Sequence, residues 1–83
     1  MRALSRAPRR PRRDLLVDSF IESYVEWREE CNDLRRAFRR WAASGWPDRD
    51  LAFGAYRAAL DREEKAASVH ALVSQRLRGR KDW

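Results

Sequence analysis

The sequence predicts an all-α protein, an antiparallel hairpin of two helices at about residues 14–43 and 48–78. Three features predict it. Apolar residues recur with helical spacing through the first half, a Gly-Trp-Pro segment interrupts the chain near its middle, and alanine is frequent in the second half. The predicted helices have nearly equal lengths, so each can cover the other, and we expect two hairpins to pair as a four-helix bundle.

The first predicted helix carries an apolar stripe with the spacing of a coiled-coil heptad. Steps of three and four residues alternate without interruption from Val17 to Trp41, which is the period of one helix face. The stripe consists of Val17, Phe20, Tyr24, Trp27, Cys31, Leu34, Phe38 and Trp41. Aspartates near the start of this segment and arginines near its end also suit the helix dipole. The pattern therefore predicts a continuous helix with one buried side.

The segment Ser44-Gly45-Trp46-Pro47-Asp48 predicts the end of the first helix and the start of the second. Gly45 suits the left-handed conformation that often follows a helix end. Pro47 suits the turn or a first helical position, and Asp48 or Asp50 suits the start of the second helix. We expect the chain to reverse near Trp46.

Folding the chain about Trp46 places bulky side chains of the first helix opposite small side chains of the second. This register predicts that Trp41 meets Ala52 and Phe53, and that Tyr24 meets Val69 and His70. Large groups facing small groups fill a core without voids. The predicted core consists of Phe20, Tyr24, Trp27, Leu34, Phe38, Trp41, Leu60 and Val73.

The sequence holds more apolar residues than one hairpin seam can bury. Contiguous exposed apolar surface usually marks an interface, so we expect a second apolar face. Its predicted members are Ile21, Val25, Phe53 and Tyr56. The expected occupant is a second copy, which gives a homodimer, or a helix of another protein. The alternative is a monomer with scattered apolar residues on its surface.

Basic residues concentrate at the two chain ends. Residues 1–13 carry six arginines and no acidic residue, while the whole chain has a formal net charge of +6. We expect residues 1–13 to form a disordered basic arm and residues 80–83 to form a frayed tail. An antiparallel hairpin would bring both ends to one pole and could attract a polyanion such as nucleic acid. The candidate anion-binding residues are Arg9, Arg10, Arg12, Arg13, Arg78 and Arg80.

The residue inventory argues against catalysis and against a metal or cofactor. Cys31 and His70 are the single cysteine and the single histidine, so a typical zinc site cannot be assembled within one chain. We expect Cys31 to pack as a small apolar residue, or alternatively to form a disulfide across a dimer seam. We expect His70 to pack half-buried beside Tyr24, and the glutamates of the first helix to form a solvated face.

These observations predict a class of function without naming a partner. No apolar run approaches the length of a membrane span, and the basic N-terminal segment lacks the apolar core of a secretory signal. With a single cysteine, this favours a cytoplasmic protein. The predicted function is protein–protein interaction or self-assembly through helix faces. The alternative functions are nucleic-acid binding by the basic pole and service as a non-catalytic enzyme subunit.

Overall fold

The computed structural model describes residues 12–79, which form two antiparallel α-helices. Helix α1 spans Arg12–Ala43 and helix α2 spans Arg49–Arg78. They contain 32 and 30 residues, or about 48 and 45 Å of helix. No strand occurs in the described part of the chain. The predicted all-α hairpin is confirmed, and the pairing of two hairpins stays a prediction.

Helix α1 begins at Arg12, two residues before the predicted start. Arg12 and Arg13 therefore belong to the helix and not to the predicted arm. Arginine is a good helix former, and a preceding proline is well tolerated at a helix start, so nothing in the sequence stops the helix at Asp14. The rest of the predicted arm, residues 1–11, and the predicted tail, residues 80–83, lie outside the described residues.

The turn reverses the chain without a left-handed residue, so the prediction for Gly45 is wrong. The amide of Ser44 donates to the carbonyl of Trp41 at 3.1 Å, and its hydroxyl donates to the same oxygen at 2.7 Å. Ser44 thus caps the end of α1, which removes the need for a left-handed glycine. The Asp48 amide then donates to the Gly45 carbonyl at 3.0 Å, around a cis Trp46–Pro47 peptide. Asp48 occupies the N-cap position of α2 but makes no side-chain capping hydrogen bond.

The predicted register of the two helices is confirmed by ring contacts at two levels of the hairpin. Near the turn, the Trp41 and Phe53 ring centroids lie 5.0 Å apart. Toward the chain ends, the Tyr24 and His70 centroids lie 5.7 Å apart. Rings of α1 therefore meet the residues of α2 that the sequence places opposite them.

The seam between the helices is narrow. Ala59 and Ala52 are its buried apolar residues, with 1% and 7% of their surface exposed. Among the described residues, no large side chain is fully buried. Tyr24 and Phe38 were predicted in the core, and that prediction is wrong: they are 45% and 49% exposed. The residues spaced by seven from Ser23 and from Trp27 face α2 more directly. Tyr24 and Phe38 therefore lie at the edge of the seam.

Candidate interaction surface

The exposed rings of the hairpin gather on one of its two broad faces. Residues seven apart occupy the same side of a coiled-coil helix, so the columns that contain Tyr24 on α1 and Phe53 on α2 each form a stripe. Phe38 and Phe53 each contact the rings of Trp41 and Tyr56, which places both stripes on the same side of the hairpin. We call this surface the aromatic face. Its members are Val17, Tyr24, Cys31, Phe38, Phe53, Leu60 and Ala67.

A cluster of four aromatic side chains anchors the aromatic face near the turn. The Trp41 ring stacks on Tyr56 with centroids 5.3 Å apart and contacts Phe53. Phe38 contacts Trp41 edge-on at 6.0 Å, and the Arg49 guanidinium lies 5.9 Å from the Trp41 ring centroid. These contacts fix the ring orientations, yet Phe38 and Phe53 remain exposed. The face is thus both apolar and well ordered by its own packing.

The four predicted interface residues occupy three different positions. Phe53 belongs to the aromatic face, and Tyr56 lies half-buried in the seam beneath it. Ile21 borders the aromatic face on the outer side of α1 and is 53% exposed. Val25 is also exposed, but it lies one residue beyond Tyr24 and is therefore turned about 100° further from the seam. The structure brings Ile21, Phe53 and Tyr56 to one side of the hairpin and leaves Val25 on its outer edge.

The opposite face of the hairpin is dominated by charged side chains. Arg62 donates to a carboxylate oxygen of Glu30 at 3.3 Å across the two helices. Arg36 forms an ion pair with Asp33 along α1. Three exposed aliphatic side chains lie among these charges, namely Leu51, Val69 and Leu72. Among the residues that the structure describes, this face has no counterpart of the aromatic cluster near the turn. The two faces therefore differ in chemistry, and the aromatic face is the stronger candidate for binding an apolar partner.

Ser23 and His70 form a polar contact inside the seam that was not predicted from the sequence. Ser23 is 5% exposed, and its hydroxyl donates to the Phe20 carbonyl at 3.0 Å. The same oxygen lies 2.9 Å from Nδ1 of His70. A hydroxyl has one proton to give, so Nδ1–H of His70 donates to Ser23. The sequence did hold a signal for this contact: Ser23 lies three residues after Phe20 and four before Trp27, which is the spacing of one helix face.

His70 is enclosed by rings as well as by Ser23. Its ring stacks on Trp27 with centroids 5.6 Å apart and also contacts Phe20 at 4.8 Å. The indole N–H of Trp27 in turn donates to Glu63 at 2.8 Å. This arrangement satisfies half-buried polar groups within the seam. The predicted half-buried His70 beside Tyr24 is confirmed, and Glu63 is also half-buried in the seam.

The described residues offer neither a metal site nor a membrane span. No group of three or more His, Cys, Asp or Glu side chains comes together within residues 12–79 in a way that could hold an ion. Neither helix, over the part of the chain that is described, is long and apolar enough to cross a membrane. Cys31 is a free, half-buried thiol on the aromatic face.

The candidate anion-binding arginines fall only partly within the described residues. Arg12 and Arg13 begin α1 and Arg78 ends α2, so the antiparallel hairpin brings them to the same end. Arg9, Arg10 and Arg80 lie outside the described residues. The fold therefore brings the three candidate positions among the described residues, Arg12, Arg13 and Arg78, to one end of the hairpin.

The fold defines this chain as a two-helix hairpin, and comparison with known proteins adds no family to that description. No protein-family model matches the sequence, and neither a curated protein nor a solved structure is significantly similar to it.

Proposed function

We propose that this protein is an interaction module that binds a protein partner through its aromatic face. The observation that carries the proposal is the half-exposure of Tyr24 and Phe38 on a hairpin whose seam fully buries no large side chain in the described residues. An apolar ring left half in water gains about 25 cal/mol for each Å² that a partner covers. A partner would therefore supply the burial that two helices alone do not.

The ordered packing of the aromatic face supports specific binding rather than nonspecific association. Trp41 and Tyr56 are stacked beneath Phe38 and Phe53, so the exposed rings rest on a packed layer. Rigid aromatic groups lose little conformational entropy on binding, which is why they often carry the binding energy of an interface. The proposed module thus presents a preformed apolar surface.

The proposal assigns the protein a binding role and no catalytic one. Ser23 and His70 are a hydroxyl and an imidazole in contact, as in many hydrolases. Here the hydroxyl is buried and donates to the Phe20 carbonyl, so it cannot meet a substrate. The contact serves the seam between the helices.

Site-specific photo-crosslinking in cells that make the protein tests this proposal. Phe38→p-benzoylphenylalanine places the reactive group on the aromatic face, and Lys65→p-benzoylphenylalanine places it among the charges of the opposite face. We expect position 38 to capture a defined protein species. Position 65 should not capture it. Equal capture at both positions, or none at position 38, would contradict the proposal.

A second candidate function is nucleic-acid binding at the end of the hairpin that holds Arg12 and Arg78. The antiparallel arrangement of α1 and α2 favours it, because it joins two basic segments that are distant in sequence. Phosphate-directed binding of this kind weakens steeply with salt.

Fluorescence anisotropy with labelled duplex DNA and with RNA tests the second candidate. We expect affinity to fall with a steep salt slope and to be lost on deletion of residues 1–11. Arg36→Gln, on the charged face away from that end, is the matched control and should leave affinity unchanged. Binding that survives the deletion would reject a role for the arm.

A further inference from the structure

We infer that the partner of the aromatic face is a second copy of this chain, related by a twofold axis parallel to the helices. This inference rests on the proposed function and specifies it. In the arrangement, α1 of each copy lies across α2 of the other, antiparallel to it, and both turns lie at the same end. Each new helix contact thereby repeats the antiparallel relation already present within one hairpin.

The side chains of the aromatic face match in size under this symmetry. With the two copies level, contacts between them follow the same register as the contacts within one hairpin. Tyr24 of one copy then faces Ala67 of the other, and the small Cys31 side chain faces Leu60. Phe38 faces Phe53, so two exposed rings cover each other. Facing layers pack closely when large side chains lie opposite small ones, and the aromatic pair adds a favourable ring contact.

Charges beside the aromatic face also match under this symmetry. On the outer border of the aromatic face, the column of α1 that contains Asp14, Ile21 and Arg28 faces the column of α2 in the other copy that contains Glu64, Ala71 and Arg78. Arg28 then faces Glu64, and Asp14 faces Arg78. These charged groups make no ion pair with any described residue of their own chain. Between the two pairs, Ile21 faces Ala71, an apolar contact. The border is therefore complementary to itself in charge and polarity.

The same charges disfavour the other simple twofold arrangement. With the axis perpendicular to the helices, α1 would cross α1 of the second copy and the turns would lie at opposite ends. Arg28 is near the middle of α1 and Glu64 near the middle of α2. Each would then face its own counterpart, and like charges placed together oppose association. The charge pattern thus favours the axis that runs along the helices.

One pair in the selected arrangement is unfavourable and gives a sharp test. Arg35 of one copy faces Arg57 of the other, near the turn. Arg35 also donates to Asn32 at 3.0 Å, which holds its side chain along α1. Replacing one member of this pair with an acid should strengthen the dimer.

Sedimentation equilibrium of the full chain over a range of concentrations tests the inference. We expect the wild type to be a dimer, and Arg28→Glu and Glu64→Arg each to weaken it about tenfold. An equimolar mixture of the two variants should restore wild-type affinity, because each then offers the charge that the other needs. Arg57→Glu should tighten the dimer several-fold. Lys65→Glu, on the opposite face, is the matched control and should have no effect.

Two outcomes would overturn the inference, and they differ from failure of the proposed function. A wild type that stays monomeric at every concentration excludes the second copy, while crosslinking at position 38 still reports whether another protein binds the aromatic face. A dimer unaffected by Arg28→Glu excludes the axis along the helices, because only the perpendicular axis exchanges an Arg–Arg pair for a Glu–Glu pair. Circular dichroism of each variant confirms that its helices are intact.

Discussion

The Ser23–His70 contact shows how single side chains set the pairing of the two helices. It joins a buried hydroxyl of α1 to a half-buried imidazole of α2 at 2.9 Å, in a seam that is otherwise narrow. Burying a polar group is costly unless it finds a partner, so the contact favours the one register in which both groups are satisfied. Apolar side chains alone would tolerate a shift of the helices more easily.

We therefore expect Ser23→Ala to destabilise the hairpin by roughly 1–2 kcal/mol, since Nδ1–H of His70 loses its acceptor. In the background of His70→Phe, which keeps a ring and removes that donor, the same substitution should cost much less. Urea unfolding followed by circular dichroism measures both steps of this double-mutant cycle. Equal costs in the two backgrounds would show that the contact contributes nothing to stability.

The sequence predicted the contact of His70 with Tyr24 but not the contact of His70 with Ser23. The stripe was defined by apolar residues, and a serine between Phe20 and Trp27 was not counted although it has helical spacing with both. The rotation of α1 was misjudged for the same reason. A heptad has adjacent columns, and the apolar spacing alone does not say whether the column of Tyr24 or that of Ser23 faces the second helix.

At the level of the elements, the lengths and the register of the helices were predictable because they depend on the whole pattern. Two segments of similar length that meet at Trp46 can pair in only a narrow range of registers, and the contacts of Trp41 with Phe53 fall within it. The conformation of the turn was not predictable, because Ser44 and not Gly45 caps the end of α1. Local hydrogen bonds can serve one helix end in several ways.

Helix α2 contains a glycine that its structure does not require. Gly54 lies inside the helix without a positive φ angle, and a Cβ atom built there meets nothing within 4 Å. We expect Gly54→Ala to stabilise the hairpin by about 1 kcal/mol, because alanine loses less backbone entropy in a helix. Urea unfolding measures the change. The matched control is Ala58→Gly, at an exposed position of the same helix, which should destabilise by a similar amount. No gain in Gly54→Ala would mean that α2 is not helical at this position.

At the level of the whole molecule, the hairpin combines a thin seam with an ordered apolar surface. A chain this small buries too little surface to be very stable alone, and association is a common remedy. In the dimer that we propose, the aromatic face, with Tyr24 and Phe38 half exposed, is the surface that associates. The stability of the fold and its binding role would then depend on the same side chains.

We accordingly expect the melting temperature to rise with protein concentration, because a dimer that forms only from folded chains is stabilised by mass action. Between about 1 and 100 μM, the wild type should gain several degrees. Phe38→Asp, which places a charge on the aromatic face, should lower the melting temperature and abolish its dependence on concentration. Thermal scans by circular dichroism measure both. A melting temperature that is independent of concentration in the wild type would argue against self-association.

The antiparallel course of the helices has a consequence for the connectivity of the chain. Residues 12 and 79 bound the hairpin at one end, and the turn at residues 44–48 closes the other. A short linker could therefore join residues 12 and 79 while the backbone is opened at Trp46, which is 86% exposed. Such a circular permutant would place α2 before α1 and keep every contact across the seam, because those contacts depend on which side chains meet and not on the order in which they are synthesised.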